Sequence, residues 1–297
     1  MKRTLWLSAF MATMMMAGCG SAGASEAPAA QEEKAAGGEI AVISREEGSG
    51  TRSAFEELVG ISEERPLTEH ALIQNGNGTV ATAIETNPAA IGYVSFSTLS
   101  EKEGIHGISV DGVEPTVQNV LDGTYSLSRP FVLIYDQNTA TEADMAFIKF
   151  LESDQGLYEL ETHGAIVDLT NAPTFDMEAF DAGLEGELKL GGSTSTEAAV
   201  IAAAETFTAL FPKITFVYDS TGSGSGIKYA QEGTYTIGFS SREVEASELG
   251  EGAVAETFCK DGIAVAVKDG NAFKNITKEQ LLAIYTGETT TWEELNQ

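Results

Sequence analysis

Residues 40–58 read Ile40-Ala41-Val42-Ile43-Ser44-Arg45-Glu46-Glu47-Gly48-Ser49-Gly50-Thr51-Arg52-Ser53-Ala54-Phe55-Glu56-Glu57-Leu58. A short apolar run predicts a strand, a Gly- and Ser-rich turn follows, and a helix-like pattern begins at Thr51. The same order recurs twice. Leu188-Lys189-Leu190 leads into Gly191-Gly192-Ser193-Thr194-Ser195 and a helix over about 196–210. Ile214-Thr215-Phe216-Val217-Tyr218 leads, through the turn Thr221 to Gly226, into a short helix. Further strands are predicted at 91–96, 130–135 and 263–267. Helices are predicted at 79–86, 116–122, 141–162 (one long or two short) and 277–285, with 169–186 irregular. Alternation of this kind predicts an α/β fold with mostly parallel sheets. No fixed-period repeat is evident.

Each turn offers backbone N–H groups at a helix start, with Ser or Thr hydroxyls beside them. Unpaired donors and the helix dipole both favour an anion there, and glycine permits close approach. Singly, such a residue is more often only an N-cap. Three turns at the ends of three strands carry more weight, because ligands of α/β folds sit at the carboxyl ends of strands. The turns are not nucleotide loops: Gly222-Ser223-Gly224-Ser225-Gly226-Ile227-Lys228 has neither the G-K-[ST] ending nor G-x-G-x-x-G spacing.

The 297 residues carry 17 Lys and Arg against 45 Asp and Glu, a formal charge of −28. That excludes a general positive field for nucleic acid or anionic lipid. An anion would instead be held by short-range uncharged donors in a dry cleft. Two Cys and three His leave little material for a metal site and argue against a disulfide framework, and no cofactor is implied. Lys2 and Arg3 followed by apolar Leu5 to Ala17 read as a signal peptide, residues 1–18. Met16-Ala17-Gly18-Cys19 resembles a bacterial lipobox, which makes Cys19 the lipidated N-terminus and 19–38 a flexible tether. The protein is then expected outside the cytoplasmic membrane, anchored by lipid to its outer face. Cys259 is expected as a buried small hydrophobe, Trp292 at a lobe surface, and the acidic run Asp176 to Glu187 as a solvated linker. His70, His106 and His163 have no ligand spacing.

Ser44-Arg45-Glu46-Glu47-Gly48-Ser49-Gly50-Thr51-Arg52 resembles the signature loop of the phosphate-binding proteins of bacterial phosphate ABC transporters. So do NPAAIGYVS, VDGVEPTVQNVLDGTYSLSRPFVLIY, LGGSTSTEA, DSTGSGSGIK, IGFSSRE, CKDGIAVAVKDGN and LLAIYTGETTTWEEL, which together span almost all of 39–297. The segment order departs from the family's usual one, in which the part resembling 187–297 precedes that resembling 39–168, so the chain resembles a circular permutation. The resemblance implies a two-lobed periplasmic-binding-protein (type II) fold with a hinge of two crossing strands near 259–266 and 127–133. One lobe would comprise 39–128 plus 263–297 and the other 129–262, with 169–186 joining the usual termini.

It also implies roles. Thr194, Ser195, Ser223, Ser49, Gly50 and Thr51 would donate to phosphate oxygens, Arg45 would supply a cationic fork, and Glu47 would accept the proton of hydrogen phosphate. Sulfate, having no proton to offer, would be rejected. Ser241 is also expected at the phosphate, where it can donate or accept but cannot repel as the carboxylate that many members carry there does, and some members carry an aromatic where Ser195 stands. The implied function is a non-enzymatic, monomeric carrier that delivers inorganic phosphate to membrane permease subunits. The alternatives are a binder or sensor of another tetrahedral oxyanion, a purely structural surface protein, and a secreted serine hydrolase using Ser49 or Ser223, for which no nucleophile elbow is present.

Overall fold

The computed structural model describes residues 38–180 and 183–296, so the expected signal peptide, Cys19 and the tether up to residue 37 lie outside the described residues. The chain runs β1 (Ala41–Arg45), α1 (Gly50–Val59), β2 (Leu72–Gln74), α2 (Asn77–Thr86), β3 (Ala90–Ser95), α3 (Phe96–Glu101), β4 (Ile105–Gly107), β5 (Ser109–Val110) and α4 (Val117–Leu121). It continues through β6 (Ser128–Asp136), α5 (Glu142–Leu151), α6 (Asp154–Thr162), β7 (Glu185–Gly192), α7 (Glu197–Leu210), β8 (Lys213–Ser220) and α8 (Ser223–Gln231). It closes with β9 (Ile237–Ser240), β10 (Ala253–Lys268), β11 (Asn275–Ile276) and α9 (Lys278–Tyr285).

The main sheet has the order β2-β1-β3-β10-β6-β9-β7-β8, with β4 also on β10. Its two ends are parallel: β1 pairs with β2 and β3, and β7 with β8 and β9. Its middle is antiparallel. From Ala253 to Gly262, β10 pairs with β6, setting Asp261 opposite Arg129; from Ile263 to Val267 it pairs with β3. The two largest apolar clusters among the described residues follow from this geometry. Phe131, Phe147, Phe150, Leu188, Phe207 and Phe239 belong to one, and Phe55, Tyr93, Val265, Leu281, Tyr285 and Trp292 to the other. The fold is the two-lobed α/β architecture of the solute-binding proteins, with its parallel strands confined to the two ends of the sheet.

Local sequence accounts for the elements. β3 is buried at every residue, as an unbroken apolar strand between covering layers should be. Thr141 with Asp144, and Thr277 with Gln280, form reciprocal capping boxes that start α5 and α9. β10 extends ten residues before the predicted strand, because its first part mixes exposed Thr257 and Lys260 and half-buried Glu256 with buried Cys259 and reads weakly as a run. Trp292 corrects an expectation: it is fully buried, 5.2 Å from Phe273 in ring centroids, and its indole N–H donates to the Ala89 carbonyl at 3.3 Å. Burying so large a side chain stabilises the fold by roughly 2–3 kcal/mol. Cys259 is buried and free, and burial pushes its thiol well above the usual range.

Candidate functional site

Three turns from distant parts of the chain meet at one place. Gly50, the first residue of α1, packs against the turn before α8: a Cβ there would overlap Ser223 Oγ and stand 2.7 Å from Ser223 Cβ and 2.9 Å from Ser241 Oγ. Thr51 Oγ1 lies 3.0 Å from Ser195 Oγ, and the Gly224 N–H donates to the Gly48 carbonyl at 3.1 Å. The glycines of β7, α8 and β9 make this approach possible. A Cβ on Gly192 would fall within the backbone of Phe239 and 2.7 Å from Gly226 Cα. Larger residues there would push α8 off the sheet.

The three turns cap their helices differently. Ser49 Oγ accepts from the Arg52 N–H at 3.2 Å, an ordinary N-cap. Neither Thr196 at α7 nor Gly222 at α8 caps with a side chain. Ser223 Oγ instead accepts from the Ser241 N–H at 3.0 Å and lies 3.3 Å from Ser241 Oγ.

Arg45 ends β1 and is 1% exposed. Its backbone is held by Tyr93, whose hydroxyl accepts from the Arg45 N–H at 3.3 Å and meets Ser44 Oγ at 2.8 Å. Tyr93 is stacked on Phe55 at 4.0 Å, and burial pushes its hydroxyl up to about 12. The guanidinium is shared. Nε and Nη2 donate to the two Glu46 carboxylate oxygens at 2.7 Å each, Nη1 donates to Thr51 Oγ1 at 3.3 Å, and Nη2 also reaches Thr194 Oγ1 at 3.1 Å. Burial alone would raise the Glu46 carboxyl, but the Arg45 hydrogen bonds and charge, together with the Gly76 N–H, hold it below its ordinary value.

Two expectations change here. Glu47, the expected proton acceptor, is exposed and has no hydrogen-bond partner among the described residues. The paired face of the Arg45 fork belongs to Glu46, and its remaining N–H groups donate to Thr51 and Thr194.

Residues that sequence reasoning passed over complete the cluster. Asn77, first residue of α2, donates through Nδ2 to Thr194 Oγ1 at 3.2 Å and Ser195 Oγ at 2.9 Å, while its Oδ1 accepts from the Ser95 N–H at 3.3 Å. Ser97 Oγ donates to the Ser195 carbonyl at 3.3 Å. Arg129 of β6 donates through Nη2 to Ser195 Oγ at 3.0 Å, and through Nε and Nη2 to Asp261 Oδ2 at 3.1 and 2.7 Å.

A hydroxyl has one proton and two acceptor positions. Arg45 and Asn77 fill both acceptor positions of Thr194 Oγ1. Its proton is therefore free to donate outward. The two carboxylates bonded within the cluster are fully engaged, both Glu46 oxygens and both Asp261 oxygens having donors. No His reaches Ser49 or Ser223 either; His106 pairs with Asp269, and His163 faces the Glu159 carbonyl. Such a donor-rich cluster, nearly shut off from water, suits a small oxyanion.

Two α/β lobes joined by paired crossing strands, with oxyanion donors converging between them, define a solute-binding protein. The sequence matches the PBP superfamily domain over residues 25–155 and 179–297. It is 34% identical over 272 residues to the phosphate-binding protein PstS 2 of Streptococcus pneumoniae serotype 4, covering 90% of this chain and 91% of that one. It is 30% identical over 300 residues to PstS 2 of Streptococcus agalactiae serotype V, covering 99% and 97%. A crystal structure of a phosphate ABC transporter phosphate-binding protein from S. pneumoniae superposes with a TM-score of 0.70 at 33% identity, over 87% of this chain and 100% of that one. The chain belongs to the PBP superfamily and, within it, to the family of phosphate-binding proteins that includes these relatives.

Proposed function

We propose that this protein captures inorganic phosphate between its lobes, 39–128 plus 263–297 on one side and 129–262 on the other, and delivers it to the permease subunits of an ABC transporter. The observation that carries this reading is the convergence of Arg45, Thr51, Thr194, Ser195 and Ser223, with the Thr51 and Thr194 hydroxyl protons left over once their acceptor positions are filled. Ligand bridging draws the lobes together about β6 and β10. The work is binding and release, with no bond made or broken. Calorimetric titration of the full chain tests it: tight phosphate binding is expected, and heat with sulfate alone would overturn the ligand assignment.

Discrimination against sulfate is where a second reading has support. With Glu47 exposed and serine at 241, the proton of hydrogen phosphate meets hydroxyl oxygens rather than a carboxylate. A hydroxyl can accept that proton or turn its own proton toward sulfate, so it rejects sulfate less sharply than a carboxylate does. The reading as a carrier or sensor of a wider range of tetrahedral oxyanions predicts measurable competition by sulfate and no change of selectivity in Glu47→Gln. A large gain of sulfate binding in Glu47→Gln would return the proton-accepting role to Glu47.

Anchoring belongs to the same proposal. Removal of residues 1–18 leaves lipidated Cys19 and the tether 19–38, holding a monomer at the outer face of the membrane. Metabolic labelling with palmitate, lost in Cys19→Ala, tests it. The segment order supports a circular permutation relative to the usual family arrangement. The Ile40 N–H donates to the Thr290 carbonyl at 2.7 Å and the Trp292 N–H to Gly38 at 3.0 Å, so the junction of the usual order lies at one place in the fold.

A further inference from the structure

We propose that Arg129 is a positioning residue of the anion site: it fixes the direction of the Ser195 and Thr51 hydroxyl protons from the crossing strands. The inference rests on the phosphate reading above and concerns how that site is preorganised.

Ser195 Oγ has three polar neighbours. Asn77 Nδ2 at 2.9 Å and Arg129 Nη2 at 3.0 Å can only donate, so they fill both acceptor positions. The Ser195 proton must then point to its third neighbour, Thr51 Oγ1, at 3.0 Å. Thr51 Oγ1 also receives Arg45 Nη1 at 3.3 Å, so it too is saturated as an acceptor. Its proton is left for a ligand oxygen. Without Arg129 the Ser195 hydroxyl keeps one free acceptor position and Thr51 can turn its proton back into it, so the outward donor at Thr51 is no longer fixed and the free proton is shared with Ser195.

Arg129 is placed for this task. It is 4% exposed, and it lies opposite Asp261 in the pairing of β6 with β10. Asp261 Oδ1 accepts in turn from the Phe96 N–H at 3.1 Å, at the start of α3. Burial pushes the Asp261 carboxyl up and the Arg129 guanidinium down, each opposed by the partner's charge, and the two N–H bonds to Oδ2 keep the pair ionic. Nη1 is buried with no partner among the described residues, so no other acceptor draws the fork away from Ser195. A line of contacts therefore runs Glu46–Arg45–Thr51–Ser195–Arg129–Asp261, from the signature loop to both crossing strands.

A guanidinium could sit here only to neutralise Asp261, and the experiment separates that role. Two charge-free pairs, Arg129→Gln/Asp261→Asn and Arg129→Met/Asp261→Asn, both remove the ion pair without leaving a lone buried charge. Only Gln retains an N–H donor for Ser195. Phosphate Kd is measured calorimetrically on each full chain, in the wild-type and Ser195→Ala backgrounds, with thermal melts alongside. The Met pair is expected to bind about tenfold more weakly than the Gln pair, the difference vanishing in Ser195→Ala. Equal affinities for the two folded pairs, or a difference that survives in Ser195→Ala, would overturn the proposal. Ser195→Ala alone, which keeps the ion pair and decides the matter if the pairs do not fold, is expected to lose about tenfold; an unchanged Kd sinks the inference. A wild type that binds no phosphate removes the ligand reading and this inference together, whereas a binding wild type with indifferent variants removes the inference alone.

Discussion

The turn before α1 and the turn before α8 both carry serine between glycines, and the structure uses the two serines differently. Ser49 closes its own helix, accepting from the Arg52 N–H. The α8 turn leaves that position to Gly222, whose φ of 92° is readily adopted only by glycine, so Ser223 starts the helix with its hydroxyl turned to Ser241. Ser193 in the α7 turn takes up the Ser195 N–H, again sparing the hydroxyls of Thr194 and Ser195 from capping. A hydroxyl that caps a helix belongs to local stability; one freed by glycine or a neighbour can serve a ligand. The α1 turn contributes instead through Arg45, Gly50 and Thr51, which flank the capping serine.

The largest expected effect tests that last point. Arg45→Met removes the donors that reach Thr51 and Thr194, at about 1.5–3 kcal/mol per charge-assisted hydrogen bond. Phosphate Kd should rise by about 100- to 1,000-fold in calorimetry. An affinity within a few-fold of wild type would mean that the α1 turn supplies no ligand contact and would dissolve the contrast. Gly50→Ala comes next. Its Cβ would collide with Ser223, forcing the two turns apart, and overpacking of this kind costs about 1–3 kcal/mol. We expect a loss of about 10- to 100-fold in phosphate affinity. The melting temperature should fall as well, since the collision outweighs the gain of about 0.5–1 kcal/mol from replacing a helical glycine. A fall in melting temperature with full binding would show that the turns need not meet.

The serines themselves come third. Ser49→Ala should lower stability in urea by about 1 kcal/mol through loss of the cap, with a change in phosphate affinity of less than about threefold. Ser223→Ala should lower phosphate affinity by about tenfold, and its stability loss has a different source, the buried Ser241 N–H left without an acceptor. Reversal of the two affinity effects would break the comparison between the turns.

Much of this could be read from the sequence, and the remainder has a physical reason for staying hidden. The strands at 40–43, 91–96 and 130–135 were legible as apolar runs bounded by turn residues, and the three hydroxyl turns by their glycines. Arg129 and Asp261 were not. Each reads as a polar residue at the edge of a strand, in SRPFVLIY and KDGIAVAV. Only the register of two antiparallel strands, 132 residues apart in sequence, sets one against the other. Opposite charges at the margins of two otherwise apolar strands were the available signal. Asn77 hid in a turn-like Asn-Gly-Asn-Gly stretch, and its amide acquires meaning only when α2 brings it beside Ser195. That Arg45 pairs with Glu46 and not with Glu47 is a one-residue matter of side-chain direction. Both follow Arg45 closely, and the turn geometry alone decides which of them faces the guanidinium.

That one-residue difference yields the smallest effect and a test of how the α1 turn is built. Glu46 is held below its ordinary value of 4.5 by Arg45 and the Gly76 N–H, despite the opposing pull of burial. A carboxylate depressed in the folded state stabilises the fold fully above its ordinary pKa, and that contribution is lost as the pH falls through the depressed value. The loss therefore belongs to the window below about pH 4.5, and near neutrality the contribution is constant. Because the side chain is 23% exposed, solvent screens the pair and the effect should stay at about 1 kcal/mol or less. Glu46→Gln should flatten the acid limb of the stability-versus-pH curve measured by urea unfolding. An unaltered limb would mean that Glu46 does not hold Arg45 in solution, leaving both faces of the fork to the ligand and making the α1 turn a stronger anion grip than its partners in the structure allow.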